Sequence, residues 1–246
     1  MKNELLTLSF DGTNYHGWQV QPNAVTVQSR LQEAAARILW ERVPITGCSR
    51  TDAHVHADMF CCNLRTQKEM PPEKLQTALN AVLPRDIAVL SVREVPLDFH
   101  ARYDCTGKSY RYLILNRPAR DPFLENRALH YPWALDAEML NREAQSFLGT
   151  HDFSAFCASK SDVENKIREI RECTVTRNGD LVEFRVTGNG FLYNMVRIMV
   201  GTLLDVQCGK IAVGLIPQIL SSRDRTQAGV TAPAHGLYLH KVYYEG

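Results

Sequence analysis

Two stretches of this chain end alike. In one, the helix-forming run LQTALNAVL (75–83) leads through Pro84-Arg85-Asp86 into the apolar alternation IAVLSVREV (87–95). In the other, GLIPQILSS (214–222) leads through Arg223-Asp224-Arg225 and a loop into GLYLHKVYY (236–244). There is no tandem repeat of fixed period, so the echo is one of construction. It predicts an α+β chain made of two similarly built α/β halves, with mainly antiparallel sheets flanked by helices. The halves are expected at 1–100 and 101–246, joined near residues 97–105. At 246 residues the chain fits one large domain or two of about 100 to 150, and either buries a substantial core.

Local patterns fill in this outline. NELLTLSF (3–10) alternates as a strand and runs into the turn DGTNY. A helix follows from Val25, with Thr26 as its N-cap, and ERVPITGCSR (41–50) is a strand leading into a loop. In the strand DMFCCNLRT (58–66), Cys61 and Cys62 read as small buried residues, and Pro72 opens the next helix. KSYRYLILN (108–116) is a strand alternating aromatic and basic residues. DAEMLNREAQSFLG (136–149) is a helix capped by Asp136 and stopped by Gly149, and a hairpin is expected to turn at Asn178-Gly179. FLYNMVRIMVGTLLDV (191–206) is apolar on nearly every side and predicts a buried helix. It is too short, and carries Arg197 too centrally, to span a bilayer.

Charge and cysteines narrow the setting. The formal net charge is +1, which argues against binding nucleic acid through bulk charge. Arginine supplies 20 of the 28 basic residues, and its planar fork suits bidentate phosphate and base contacts, so the excess points to local patches. Glu4 and Asp11 interrupt any apolar N-terminal stretch, and a cytoplasmic setting is expected. Seven cysteines with no CxxC pair do not form a disulfide framework.

The densest polar run is 47–58, GCSRTDAHVHAD, between two predicted strands, where a loop on a rigid sheet is expected to carry a site. Three readings arise. Asp52, His54 and His56 on an extended segment would point to one side as metal ligands, although Met59 stands where a further histidine would be needed. Asp52, held ionised by Arg50 two residues away, would be a nucleophile toward a sugar or base carbon. Alternatively, the two simply form a loop ion pair.

FDGTNYHGWQVQ (10–21), SRTDAHVHA (49–57), DFHAR (98–102), KSYRYLI (108–114), NGFLYNMVRIMVGTLLDV (189–206) and GLYL (236–239) resemble, in order, the successive motifs of TruA-type tRNA pseudouridine synthases. The resemblance implies isomerisation of uridine to pseudouridine at positions 38 to 40 of the tRNA anticodon arm. It implies a pseudouridine synthase fold, a homodimer of subunits whose two halves surround a central basic cleft, with no cofactor, no metal and no membrane association. It makes Asp52 the nucleophile and Arg50 the arginine that pairs with this acid and helps expel the target nucleotide. Tyr110 becomes the residue stacked on the uracil, and Arg197 the partner of Asp52. A charge inside an apolar helix needs such a partner.

Arg102 and Arg111 have weaker claims as tRNA phosphate contacts, with surface ion pairs as the alternative. Tyr110 on an apolar strand can equally be a core residue. A base stacked in an RNA stem must be extruded before it can react, at a cost of a few kcal/mol. The chain departs from the family pattern at His54, where glycine is common, and at 58–61; if position 54 has positive φ, histidine tolerates it better than most side chains. A metal-dependent hydrolase using Asp52, His54 and His56, and a non-catalytic RNA-binding protein, remain as rivals.

Overall fold

The computed structural model describes residues 1–158 and 163–245. In chain order its strands and α-helices are β1 (Lys2–Phe10), α1 (Val27–Leu39), β2 (Ile45–Gly47), β3 (His56–Thr66), α2 (Pro72–Val82), β4 (Ile87–Val95), β5 (Cys105–Leu115) and β6 (Leu129–His130). They continue with α3 (Ala137–Ala144), β7 (Gly149–Asp152), β8 (Ile167–Asn178), β9 (Leu181–Gly188), α4 (Met195–Gln207), α5 (Ile216–Ser222) and β10 (Leu237–Tyr244). Two compact units result, Met1–Thr106 with Tyr238–Gly246, and Gly107–Leu237. The mixed α/β, mainly antiparallel architecture expected from the sequence is present.

In the first unit β1 lies between β4 and β3, antiparallel to both, and β2 also pairs with β3. The chain's last strand returns here: β10 runs parallel to β3, with Tyr238 opposite His56. Alternation along β1 and β3 buries Leu6, Leu8, Phe60, Cys62 and Leu64 completely, together with Val27, Leu31 and Leu39 of α1 and Leu75 and Leu79 of α2. Thr26 caps α1 in a reciprocal capping box with Ser29, and Pro72 occupies the first turn of α2, where its missing N–H has no intrahelical partner to lose. Burial raises the pKa of both Cys61 and Cys62, consistent with their role as small packing residues.

The second unit has strand order β5-β9-β8-β7, with antiparallel pairing along that order, and the short β6 pairs parallel to β5. Its hairpin turns one residue later than expected. Asn178 pairs with Leu181, so Gly179 and Asp180 form the loop, and only Gly179 takes positive φ (+59°). Helix α3 is shorter than its pattern. Asp136 caps it by accepting the Met139 N–H, but after Ala144 the chain tightens into a 3-10 turn, and Gly149 (φ +95°) begins β7. Helix α4 is buried on nearly all sides, as its composition demands, yet starts only at Met195 because Asn194 sits in the left-handed region (φ +59°) and cannot continue a helix. No helix among the described residues is long and apolar enough to cross a membrane.

Candidate active site

Residues 48–55 of the polar run connect β2 to β3, and the segment 11–18 clamps them. Trp18 N–H donates to the Thr51 carbonyl (3.2 Å), and His54 N–H donates to the Tyr15 carbonyl (3.1 Å). A Cβ on Gly12 would lie 2.1 Å from the Val55 carbonyl oxygen, and one on Gly17, which has φ +83°, would lie 2.4 Å from the Thr51 oxygen. The two backbones approach this closely only because both positions are glycine. Behind them the Trp18 ring stacks on Phe60 (centroids 4.1 Å apart) and lies against Gly47, where a Cβ would be 2.4 Å from the indole nitrogen. The Tyr15 hydroxyl donates to Asp86 (2.5 Å), and burial followed by this bond raises its pKa, so the ring is an anchor and not a base. These residues escaped the sequence-based assignment of roles; the two glycines bracketing an aromatic-rich turn were the signal for a close backbone approach.

Within the clamp, Val55 N–H donates to the Asp52 carbonyl (3.2 Å), which makes 52–55 a turn, and His54 takes φ +64°. Asp52 is half-buried in this turn and Arg50 is exposed just before it. The turn removes the extended geometry on which the metal reading depended. His56 is buried, with Nδ1 accepting the Gly12 N–H (2.9 Å) and its ring stacked on Tyr238 at 4.6 Å. His54 Nδ1 lies 2.9 Å from the Thr13 carbonyl. His56 is thus built into the clamp, and His54 adds a single contact to it from the exposed side. Among the described residues, no group of three or more histidine, cysteine or acidic side chains is disposed to hold a metal ion.

Arg102 is exposed in the loop after β4, whose Ala101 N–H donates to Asn63 Oδ1 (2.9 Å). Asn63 in turn stands opposite Thr46 of β2.

The other three candidates belong to the second unit. Tyr110 is buried on β5, opposite Val186 of β9, with its ring edge-on to Phe191 at 5.0 Å. Arg197, in the first turn of α4, donates from Nε to the Ala232 carbonyl (2.7 Å) and from Nη1 to Asn194 Oδ1 (2.8 Å). Segment 191–197 thus supports both residues. Arg111 follows Tyr110 in a regular stretch of β5 and so points to the opposite face, where Glu183 lies 3.7 Å from its guanidinium.

A family model described as tRNA pseudouridine synthase matches residues 7–104 and 144–245. Proteins called tRNA pseudouridine synthase A are 48% identical over 244 residues in Thermoanaerobacter sp. (strain X514), Acetivibrio thermocellus and Clostridium acetobutylicum, each match covering 99% of this chain and 100% of the relative. Six motifs in order, a clamped acidic turn and likeness over the whole length agree, and the chain belongs to the tRNA pseudouridine synthase family, an isomerase family of the TruA type.

Proposed function

We propose that this enzyme converts uridine to pseudouridine at positions 38 to 40 of the tRNA anticodon arm, with Asp52 as nucleophile and no cofactor. The observation that carries the reading is the rigid presentation of the Asp52 turn, clamped through Gly12, Gly17 and Trp18. A carboxylate held in this way attacks with little reorganisation. The reaction breaks the N1–C1′ bond, turns the uracil and forms the C5–C1′ bond; C5 loses its proton and N1 gains one. Bonds and protons balance with neither redox change nor added water.

The target base is flipped from its stack, and Tyr110 stacks against it; such contacts contribute roughly 1 to 3 kcal/mol per base. Arg50 helps expel the nucleotide, and Arg197 supplies positive charge to the carboxylate. Arg102, exposed in the loop after β4, and Arg111, on the other face of β5 from Tyr110, are assigned to phosphates that position the arm. In this reading the enzyme is a cytoplasmic homodimer.

Incubation with unmodified tRNA and position-resolved pseudouridine mapping tests the reaction. Product at 38 to 40 is expected, and its absence there refutes the assignment. Asp52→Asn should bind tRNA and form no product; unchanged modification would remove Asp52 as nucleophile. A one-chain mass by light scattering would overturn the dimer.

A further inference from the structure

His54 lies two residues beyond Asp52 and takes φ +64°, a region that residues with a Cβ rarely occupy. Its side chain is exposed, so core packing does not compensate for the backbone. Glycine would occupy the same φ without strain, and a purely structural role would favour it. An observed outlier beside a reactive group is grounds for a functional role.

The ring is also aimed. Nδ1 lies 2.9 Å from the Thr13 carbonyl, which can only accept, so Nδ1 carries the proton and Nε2 is the nitrogen left to meet another molecule. The backbone is fixed as well, since His54 N–H donates to the Tyr15 carbonyl. His16, also exposed, stands alongside with its ring centroid 6.4 Å away, and its own N–H is held by the Val25 carbonyl (2.9 Å). One imidazole held by a hydrogen bond and a second carried on a fixed backbone therefore stand beside the Asp52 turn.

We propose that His54, with His16 beside it, is a substrate-positioning residue whose Nε2 contacts the ribose-phosphate backbone of the nucleotide next to the target uridine. It thereby influences which uridine is held against Asp52. An imidazole nitrogen suits this task because it accepts from a ribose 2′-hydroxyl when neutral and donates to a phosphate oxygen when protonated. The inference rests on the reading of Asp52 as acting on a tRNA uridine.

The test compares the wild-type chain with His54→Gly and His54→Asn on unmodified tRNA, measuring kcat, KM, the distribution of product among positions 38 to 40, and Tm. Glycine and asparagine both accept the left-handed backbone, so the fold is retained. The expected result is a KM raised about five- to twentyfold with kcat within about twofold, an altered product distribution, and a Tm for His54→Gly equal to or above wild type. Variants with the wild-type KM and distribution would overturn the proposal. So would a fall in kcat and Tm at constant KM, which would mark a structural role. If wild type itself makes no pseudouridine, the enzymatic reading fails and this inference fails with it.

Discussion

Gly17 meets Thr51 so closely that a single added carbon would stand 2.4 Å from the Thr51 carbonyl oxygen, inside any real carbon–oxygen contact. The same Gly17 has φ +83°, so an alanine there suffers both a collision and backbone strain. Gly17→Ala is expected to destabilise the protein by about 1 to 3 kcal/mol and to displace Asp52 along with Thr51. Turnover should fall by more than the loss of folded protein explains. Denaturant unfolding and tRNA modification, measured on the same preparation, check this; normal turnover in the Gly17→Ala variant would show that the clamp does not set the Asp52 position.

Much of this arrangement was legible in the residues, and the remainder was hidden for identifiable reasons. Alternation in 3–10 and 58–66 marked β1 and β3, and Thr26, Pro72 and Asp136 marked helix starts, because caps and period-two burial act through near neighbours. Left-handed residues were harder to read. Asn194 starts α4 four residues inside its apolar run, and Gly179 moves the hairpin turn by one position. The return of β10 to β3 depends on contacts between residues far apart in sequence, which no local pattern encodes. At the site, the polar run stood out by composition, yet its shape came from Gly12 and Gly17, which carry no chemistry of their own.

Arg197 holds two partners within its own unit, the Ala232 carbonyl and Asn194 Oδ1. Arg197→Met keeps the length of the side chain and removes both bonds with the charge. Loss of these bonds should cost about 1 to 3 kcal/mol and lower Tm by a few degrees, leaving a folded protein. Turnover should drop on the order of a hundredfold if the guanidinium supports the nucleophile. Circular dichroism and single-turnover modification separate the two effects, and wild-type turnover in Arg197→Met would remove Arg197 from the reaction.

Glu4 is almost wholly buried on β1, and one of its carboxylate oxygens has no hydrogen-bond partner. Burial, reinforced by the nearby Glu94 and opposed by Lys2, raises its pKa above the usual carboxylate value. The unfolded chain ionises at a lower pH than the folded one, so the ionised carboxylate destabilises the fold above the folded-state pKa. That penalty fades as pH falls through the folded pKa toward the unfolded value of about 4.3. Glu4→Gln should therefore be more stable than wild type at neutral pH, by on the order of 1 kcal/mol or about 2 to 4 °C in Tm. The advantage should disappear near pH 4. Equal stabilities of the two proteins at pH 7 would show that Glu4 is already compensated.

Tyr110 tests the stacking role apart from the chemistry of Asp52. Its ring is buried against Phe191 on a strand whose register with β9 is regular, so the backbone should tolerate substitution. Tyr110→Phe preserves the aromatic face and should leave KM for tRNA within about twofold. Tyr110→Ala removes it. A stacking contribution of roughly 1 to 3 kcal/mol then corresponds to a KM about five- to 150-fold higher, alongside a stability loss of about 3 to 5 kcal/mol from the cavity. Measuring KM at a temperature where the alanine variant is folded keeps the two apart. An alanine variant with wild-type KM would return Tyr110 to the role of a core residue, the alternative that its apolar strand always allowed.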